Sequence, residues 1–558
     1  MMSNQLNELA ILLNPADNVV IARQTIPAGT SLTDGDQHWL TRQAIPSGHK
    51  LARTTLSAGQ PVIRYGQVIG FASRDIQPGD WVHSHNLEVG NMQREFDVQV
   101  APHIPPAPLL SPKRGERRGD ETGNLGVLGC SAAQNTQISG IFPFPQMEEG
   151  VRGWGDKPPP RTFLGFRRAD GKVGTRNYIA VISTVSCANQ SARLIADTFT
   201  PERLAEFPNV DGVVAIVHTT GCCAPPDSLS YRYLQCTLIH LAEHPNVGGA
   251  VFISLGCEGN QIQKDSAAFP NPIPSSSVLT IQDLGGIRGT VSAGIAAVEQ
   301  LLPGVNNIQR TPQPISELVV ALQCGGSDGW SGVTANPLVG RVADALVDSG
   351  GTVILAETPE IFGAEQLLTH RVADPEAGCR LIERIQWWQA HAAREGFSLD
   401  NNPSPGNKAG GLTTIYEKSL GAVAKGGSRP LQAVYEYAER ITRRGLVFMD
   451  TPGYDPVSVT GQVVGGGTLV LFTTGRGSVF GGLIAPCIKI ATNTATYQRM
   501  QEDMDFNAGV LLEGAGFEAA SQALLDLMVE TASGRLSKSE TSSGRESEFI
   551  PWQPGGIL

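Results

Sequence analysis

The sequence predicts a multidomain α/β protein, with an all-β unit at its N-terminus and two later α/β blocks built on parallel sheets. Three observations predict it. At 558 residues the chain is too long for one hydrophobic core. Residues 1–100 repeat a Pro/Gly turn phrase between short apolar runs. From about residue 161 the pattern becomes strand, loop, helix.

In the first unit the phrases are Ile26-Pro-Ala-Gly29, Ile45-Pro-Ser-Gly48, Leu56-Ser-Ala-Gly59 and Ile76-Gln-Pro-Gly79. Proline pre-sets φ and glycine relieves the tight position, so each phrase reverses the chain. Residues 101–160, with Pro105-Pro106, the basic cluster 113–118 and Pro158-Pro159-Pro160, read as a partly mobile linker. Residues 161–310 form the first α/β block. Its apolar runs at 178–182, 213–217 and 250–254 are short enough for buried parallel strands. Residues 311–535 form the second. There 318–322 is a strand, Leu338, Val342 and Leu346 mark a helix that Gly350-Gly351 stops, and 352–355 returns as a strand. The tail, 536–558, is rich in serine, glycine and charge, with Trp552 placed to pin it.

Composition narrows the function. The chain is 41% hydrophobic and 17% charged, with a net charge of −11 and no basic stripe, which argues against a nucleic-acid partner. No run reaches the roughly 18 apolar residues of a membrane span. The start lacks a basic segment followed by an apolar one, and the nine cysteines contain no CxxC. A cytoplasmic protein with free or metal-bound thiols is expected.

Parallel sheets bind ligands at the carboxyl ends of their strands. Here those ends carry Cys187, then His218 and Cys222, then Cys257-Glu258, and finally Cys324 in the second block. One buried cysteine is ordinarily a small hydrophobe. Four at strand ends suggest a soft-metal site for iron or zinc, which His or Glu could complete. Cys130, Cys236 and Cys379 lie elsewhere and are expected to be inert. His83 and His85, placed at i and i+2 as on one face of a strand, could converge on the same ion or substrate; two histidines on a β edge are the plainer reading. Lys172, Arg176, Arg476 and Lys489 sit in glycine-framed or strand-end segments suited to a carboxylate. Gln323, Ser327, Asp328, Thr334 and Asn336 could meet polyol hydroxyls or simply cap the next helix. No GxGxxG or Walker motif indicates a nucleotide.

Together the segments GFRRADGKVGTRNY, HTTGC, LGCE, QCGGSDGWSGVTANP, FTTGRGSVFGG, IKIATN and DMDFNAG resemble the altronate/galactarate dehydratase family over nearly the whole chain. Only 101–160 has no match. The resemblance implies an N-terminal SAF (β-clip) domain, a middle domain and a Rossmann-like C-terminal domain. It also implies dependence on divalent iron (Fe2+), a homodimer, and dehydration of a sugar acid to a 2-keto-3-deoxy acid.

On that reading a cation stabilises the enediolate that forms beside the substrate carboxylate. Lys489 or His218 takes the proton, and His85 or Glu258 protonates the departing hydroxyl. The metal candidates are His83, His85, Cys187, Cys222, Cys257 and Cys324. Another divalent cation, or an iron–sulfur cluster on Cys187, Cys222 and Cys257, is the variant. A non-catalytic sugar-acid binding protein and a hydrolase or aldolase on the same scaffold are the alternatives.

Overall fold

The computed structural model describes residues 4–35, 37–90, 97–101, 161–222, 225, 228–262, 278–541 and 549–554. The expected linker, residue 101 apart, and Cys130 lie outside the described residues.

In the N-terminal unit the four turn phrases reverse the chain as expected. Gly29, Gly48, Gly59 and Gly79 all take φ between 76° and 91°, the left-handed region that glycine occupies without cost. The phrases pair: Ile26 bridges Ile45 and Leu56 bridges Ile76, all four buried. Strands β1 (Pro61–Arg64) and β2 (Gln67–Ala72) form a hairpin with a two-residue turn. Tyr65 and Gly66 in that turn have φ of 61° and 71°, the type I′ signature whose twist suits a hairpin.

The middle block contains β3 (Tyr178–Ser183), α1 (Asn189–Ala196), β4 (Gly212–Ile216), α2 (Leu229–Ala242), β5 (Val247–Ser254), β6 (Val278–Thr280) and α3 (Ile287–Asn306). Its sheet is parallel in the order β4-β3-β5-β6. Every residue of β3 is buried, which explains its unbroken apolar run.

The C-terminal block contains β7 (Val319–Cys324), α4 (Ala335–Asp348), β8 (Thr352–Leu355), α5 (Pro375–Glu395), α6 (Ile415–Val423), β9 (Leu431–Tyr435), β10 (Gly445–Met449), α7 (Asp455–Val464), β11 (Leu469–Thr474), β12 (Cys487–Ala491), β13 (Phe506–Asn507) and α8 (Phe517–Ala532). These strands form a seven-stranded parallel sheet in the order β9-β10-β8-β7-β11-β12-β13. From β7 the chain builds outward through β8 on one side and later through β11 on the other. Such a reversal opens a crevice at the strand carboxyl ends. Strand β7 runs further than the sequence suggested, so Cys324 is its last residue and not part of the loop.

The β unit does not stand apart. Val62, Tyr65 and Ile69 share one core with Leu338 and Val339 of α4. At the other end of the chain, buried Trp552 stacks on Trp388 of α5 and Tyr233 of α2, and so pins the tail. No helix among the described residues is long and apolar enough to cross a membrane.

Candidate active site at the C-terminal sheet

The β1–β2 hairpin delivers its tip to the C-terminal sheet's carboxyl ends. Arg64 ion-pairs with Glu417 on α6 and donates from Nη2 to the Gly329 carbonyl at 2.7 Å. Lys50 meets the same carboxylate at 2.8 and 2.9 Å, and Thr413 donates to it at 2.6 Å. All three charged side chains are fully buried. Burial alone would raise the Glu417 carboxyl; the two cations override it and hold it down at about 2. A pocket beside this triad is lined by Tyr65, Ser327, Asp328, Asn336, Glu417 and Lys418.

Behind it lies a second ionic group. Lys418 donates to Glu360 at 2.5 Å and to Asn402 at 2.7 Å, and Lys425 donates to Glu357 at 2.7 Å. Gln323 bridges Glu357 at 2.7 Å and Asp455 at 2.9 Å, while Cys324 Sγ stands 3.5 Å from Glu357 and 3.4 Å from Glu360. Three carboxyl groups therefore face two ammonium groups in a buried space, and the group favours retaining a proton. Accordingly, burial pushes Glu357 up to about 8 and Asp455 up to about 6. Burial also raises the Cys324 thiol well above its usual range, so it is a protonated thiol. Glu357 sits at φ 68°, ψ 62°, a left-handed conformation rare for a non-glycine residue and typical of functional sites.

Several sequence-predicted residues belong here. Gln323 and Cys324 form part of the ionic group, and Ser327 and Asp328 line the pocket. Asp328 is tied to Thr492 at 3.0 Å and Asn493 at 3.1 Å. Exposed Arg476 has a guanidinium with no hydrogen bond or ion pair among the described residues. Its stem and Asp328 crowd Gly410 so closely that a Cβ there would lie 3.0 Å from Asp328, which is why that position is glycine.

Other expectations are corrected by the geometry. His83 and His85 lie in a turn, not on a strand, so the i, i+2 argument fails. His83 is buried, accepts from Ser84 N at Nδ1 (2.8 Å) and donates Nε2 to the Lys408 carbonyl (2.8 Å), leaving no lone pair for a metal. His85 is exposed against Trp81. His218 is used in the same way, by Thr220 N at 3.2 Å and the Ser183 carbonyl at 3.0 Å, and burial lowers it to about 4. It shapes a loop and is not free to act as a base. Glu258 accepts from Thr184 Oγ1 and from the amides of Leu255 and Gly256, a loop-closing role. Thr334 donates to the Thr492 carbonyl at 2.7 Å. Arg176 is taken by Glu540 at 2.6 Å, with both side chains buried, and Lys172 by Asp170 at 2.8 Å on the surface. Lys489 is buried within β12, away from the strand end.

Cys187, Cys222 and Cys257 are exposed on middle-block loops, so the four-thiol constellation divides: Cys324 keeps company with carboxylates in another domain. The sequence reading missed Lys50, Arg64, Tyr65, Glu357, Glu360, Glu417, Lys418, Lys425 and Asp455. Glu357 and Glu360 follow the β8 strand end, and the rule that found Cys324 would have found them.

Comparison with known proteins agrees with this architecture. Three family models match in chain order: "Altronate/galactarate dehydratase SAF domain" over 8–90, "D-galactarate dehydratase/Altronate hydrolase, second domain" over 165–306, and "D-galactarate/Altronate dehydratase, C-terminal" over 315–557. Altronate dehydratase of Bacillus subtilis (strain 168) is 32% identical over 96% of this chain and 97% of its own length. The chain belongs to the altronate/galactarate dehydratase family. Other relatives are altronate dehydratase of Escherichia coli (strain K12), 33% identical over 96% of this chain and 97% of its own, and the galactarate dehydratase (L-threo-forming) of that strain, 34% identical over 98% and 97%. As a family dehydratase the chain is an enzyme of the hydro-lyase class.

The divalent iron implied by the resemblance can be tested against the donors present. Among the described residues, Cys324, Glu357 and Glu360 alone bring three ligand atoms within 4.8 Å of one another. Lys425 and Lys418 already pair with those carboxylates, which leaves Asp455 as the one further acidic group, among the described residues, against a double charge. The group does not fit a lone divalent ion.

Proposed function

We propose that this chain dehydrates a sugar acid of the altronate or galactarate type to a 2-keto-3-deoxy acid in the crevice between the hairpin tip and the C-terminal sheet. The observation that carries the reading is Lys418, an ammonium held 2.5 Å from Glu360 and lining a polar pocket at a topological switch point. Arg476 is the uncommitted cation for the substrate carboxylate. Lys418 stabilises the enediolate that forms when the proton beside the carboxylate leaves, and Glu360 is the nearest carboxylate to receive that proton. Glu357, protonated near neutrality, is the acid for the departing β-hydroxyl. Ser327 and Asp328 meet substrate hydroxyls. Loss of water leaves an enol that becomes the keto acid unaided.

The reading places the enzyme in the cytoplasm, consistent with the exposed thiols of Cys187 and Cys257, which form no disulfide among the described residues. The homodimer comes from the resemblance alone, and sedimentation tests it.

The deciding experiment supplies altronate and galactarate separately and measures 2-keto-3-deoxy acid. The proposal expects product from one of them. Binding of both without product would favour a sugar-acid binding protein.

A further inference from the structure

The sequence suggests Gln323 as a contact for substrate hydroxyls, yet it is completely buried and bonded at both ends of its amide. Its Nε2 donates to Glu357 Oε1 at 2.7 Å and to Asp455 Oδ1 at 2.9 Å, so both hydrogens are spent on carboxyl groups. Its Oε1 accepts from Gln462 Nε2 on α7 at 2.9 Å. The second hydrogen of Gln462 Nε2 goes to Ser458 Oγ, about one helical turn earlier, at 3.2 Å. Ser458 Oγ lies 2.7 Å from Thr451 Oγ1, which in turn accepts from the Glu357 amide at 2.9 Å. These contacts close a ring that begins and ends at Glu357, and all five of its residues are completely buried.

The two ends of a glutamine amide have nearly the same shape, so its neighbours decide which end points where. Asp455, pushed up by burial to about 6, is largely ionised at neutral pH and only accepts, so the nitrogen of Gln323 has to face it. The oxygen of Gln323 then faces Gln462, which has to present its own nitrogen. That requirement leaves a mark: Gln462 Oε1 is buried with no hydrogen-bond partner among the described residues, a costly state for an acceptor. Turning this amide over would bring its oxygen to the Ser458 hydroxyl, but would also set it against Gln323 Oε1. The ring decides as well where Glu357 carries a proton. Glu357 Oε2 takes Lys425 Nζ at 2.7 Å and the Cys324 amide at 3.2 Å, which uses both lone pairs. Oε1 takes Gln323 alone among the described residues and keeps a lone pair for the proton.

We propose that Gln462 is a positioning residue for the reaction: through Gln323 it holds an N–H donor against Glu357, so that Glu357 gives its proton to the departing hydroxyl and not to a Gln323 carbonyl. The inference rests on Glu357 as the acid of the proposed reaction. Without Gln462 the Gln323 amide is free to turn, and its oxygen accepts the Glu357 proton. The proton is then held more tightly and its transfer slows. Lys425, Lys418, Glu360, Asp455 and the Cys324 thiol are the other titratable groups facing Glu357, and the Gln462 amide bonds to none of them.

The test compares wild type, Gln462→Met, Gln323→Met and the double variant on whichever sugar acid the wild type converts. Gln462→Met should lower kcat about tenfold with KM little changed, short of the roughly 10²–10⁴-fold loss on removing an acid itself. Because Gln462 acts through Gln323, the double variant should be no slower than Gln323→Met, whereas independent effects would multiply. The melting temperature against pH reads the same lock without turnover. The Glu357 contribution, lost as the pH rises through about 8, should be lost at a higher pH in Gln462→Met. Circular dichroism checks folding, and Gln462→Glu, of the same shape with at most one hydrogen to give, should move both readouts in the same direction. Unchanged kcat and an unshifted melting profile in the folded variants, or multiplied losses in the double variant, would overturn the proposal. If the folded wild type forms no keto acid, the proposed reaction fails on its own, and an unshifted melting profile then overturns the lock.

Discussion

Lys418 and Glu357 carry the chemical claim at the residue scale. Replacing Lys418 with Met should lower kcat by about 10²–10⁴-fold, the usual range for removing a charge-stabilising or proton-transferring group. Lys418→Arg should recover part of it, since the positive charge returns in a different shape. Initial rates of keto-acid formation measure both. Glu357 predicts a pH effect with a definite sign. Its carboxyl is raised from 4.5 to about 8, so the folded chain holds a proton the unfolded chain has lost. That contribution to stability is complete below about pH 4.5 and declines as the pH rises through 8. Melting temperatures across that window should fall with pH, and Glu357→Gln should flatten the decline. Glu417 acts in the opposite sense: held at about 2, its contribution is present above 4.5 and lost as the pH falls toward 2.

At the scale of elements, the β1–β2 hairpin is the device that completes the pocket. It inserts Arg64 and Tyr65 against α6, and Lys50, from the strand Lys50–Ala52 in the other sheet of the β unit, joins Arg64 on Glu417. Removing one partner of a buried ion pair leaves an uncompensated charge, so Arg64→Met or Lys50→Met should cost about 3–5 kcal/mol, measured by denaturant unfolding. The turn phrases that build this unit were legible because proline and glycine dictate backbone geometry locally. Its docking was not legible: Lys50 and Glu417 are 367 residues apart, and nothing local in either segment announces the other. The strand ends were legible as places for chemistry, hence Cys324 and Asp328. The histidines misled because a two-residue spacing has meaning only on a strand, and His83 to Asn86 form a turn. Glu357 was within reach of the same strand-end rule, since it follows β8; what the sequence does not announce is the left-handed backbone, rare for a non-glycine residue, that holds it there.

Across the whole molecule, two parallel sheets are joined by charge and aromatic contacts. Arg176 pairs with Glu540, and Trp552 inserts between α2 of the middle block and α5 of the C-terminal block. Trp552→Ala should cost about 3–5 kcal/mol and expose the tail to protease, since a fully buried indole leaves a large cavity. The strand ends of the two sheets differ in character: those of the C-terminal sheet carry paired buried charge, and those of the middle sheet carry exposed thiols. The measurement that tests this division most directly is a crystal structure of the chain with its sugar acid bound. The account predicts the acid in the C-terminal crevice, its carboxylate on Arg476 and the adjoining carbon beside Lys418. An acid seated only on the thiol loops of the middle block, with that crevice empty, would contradict it.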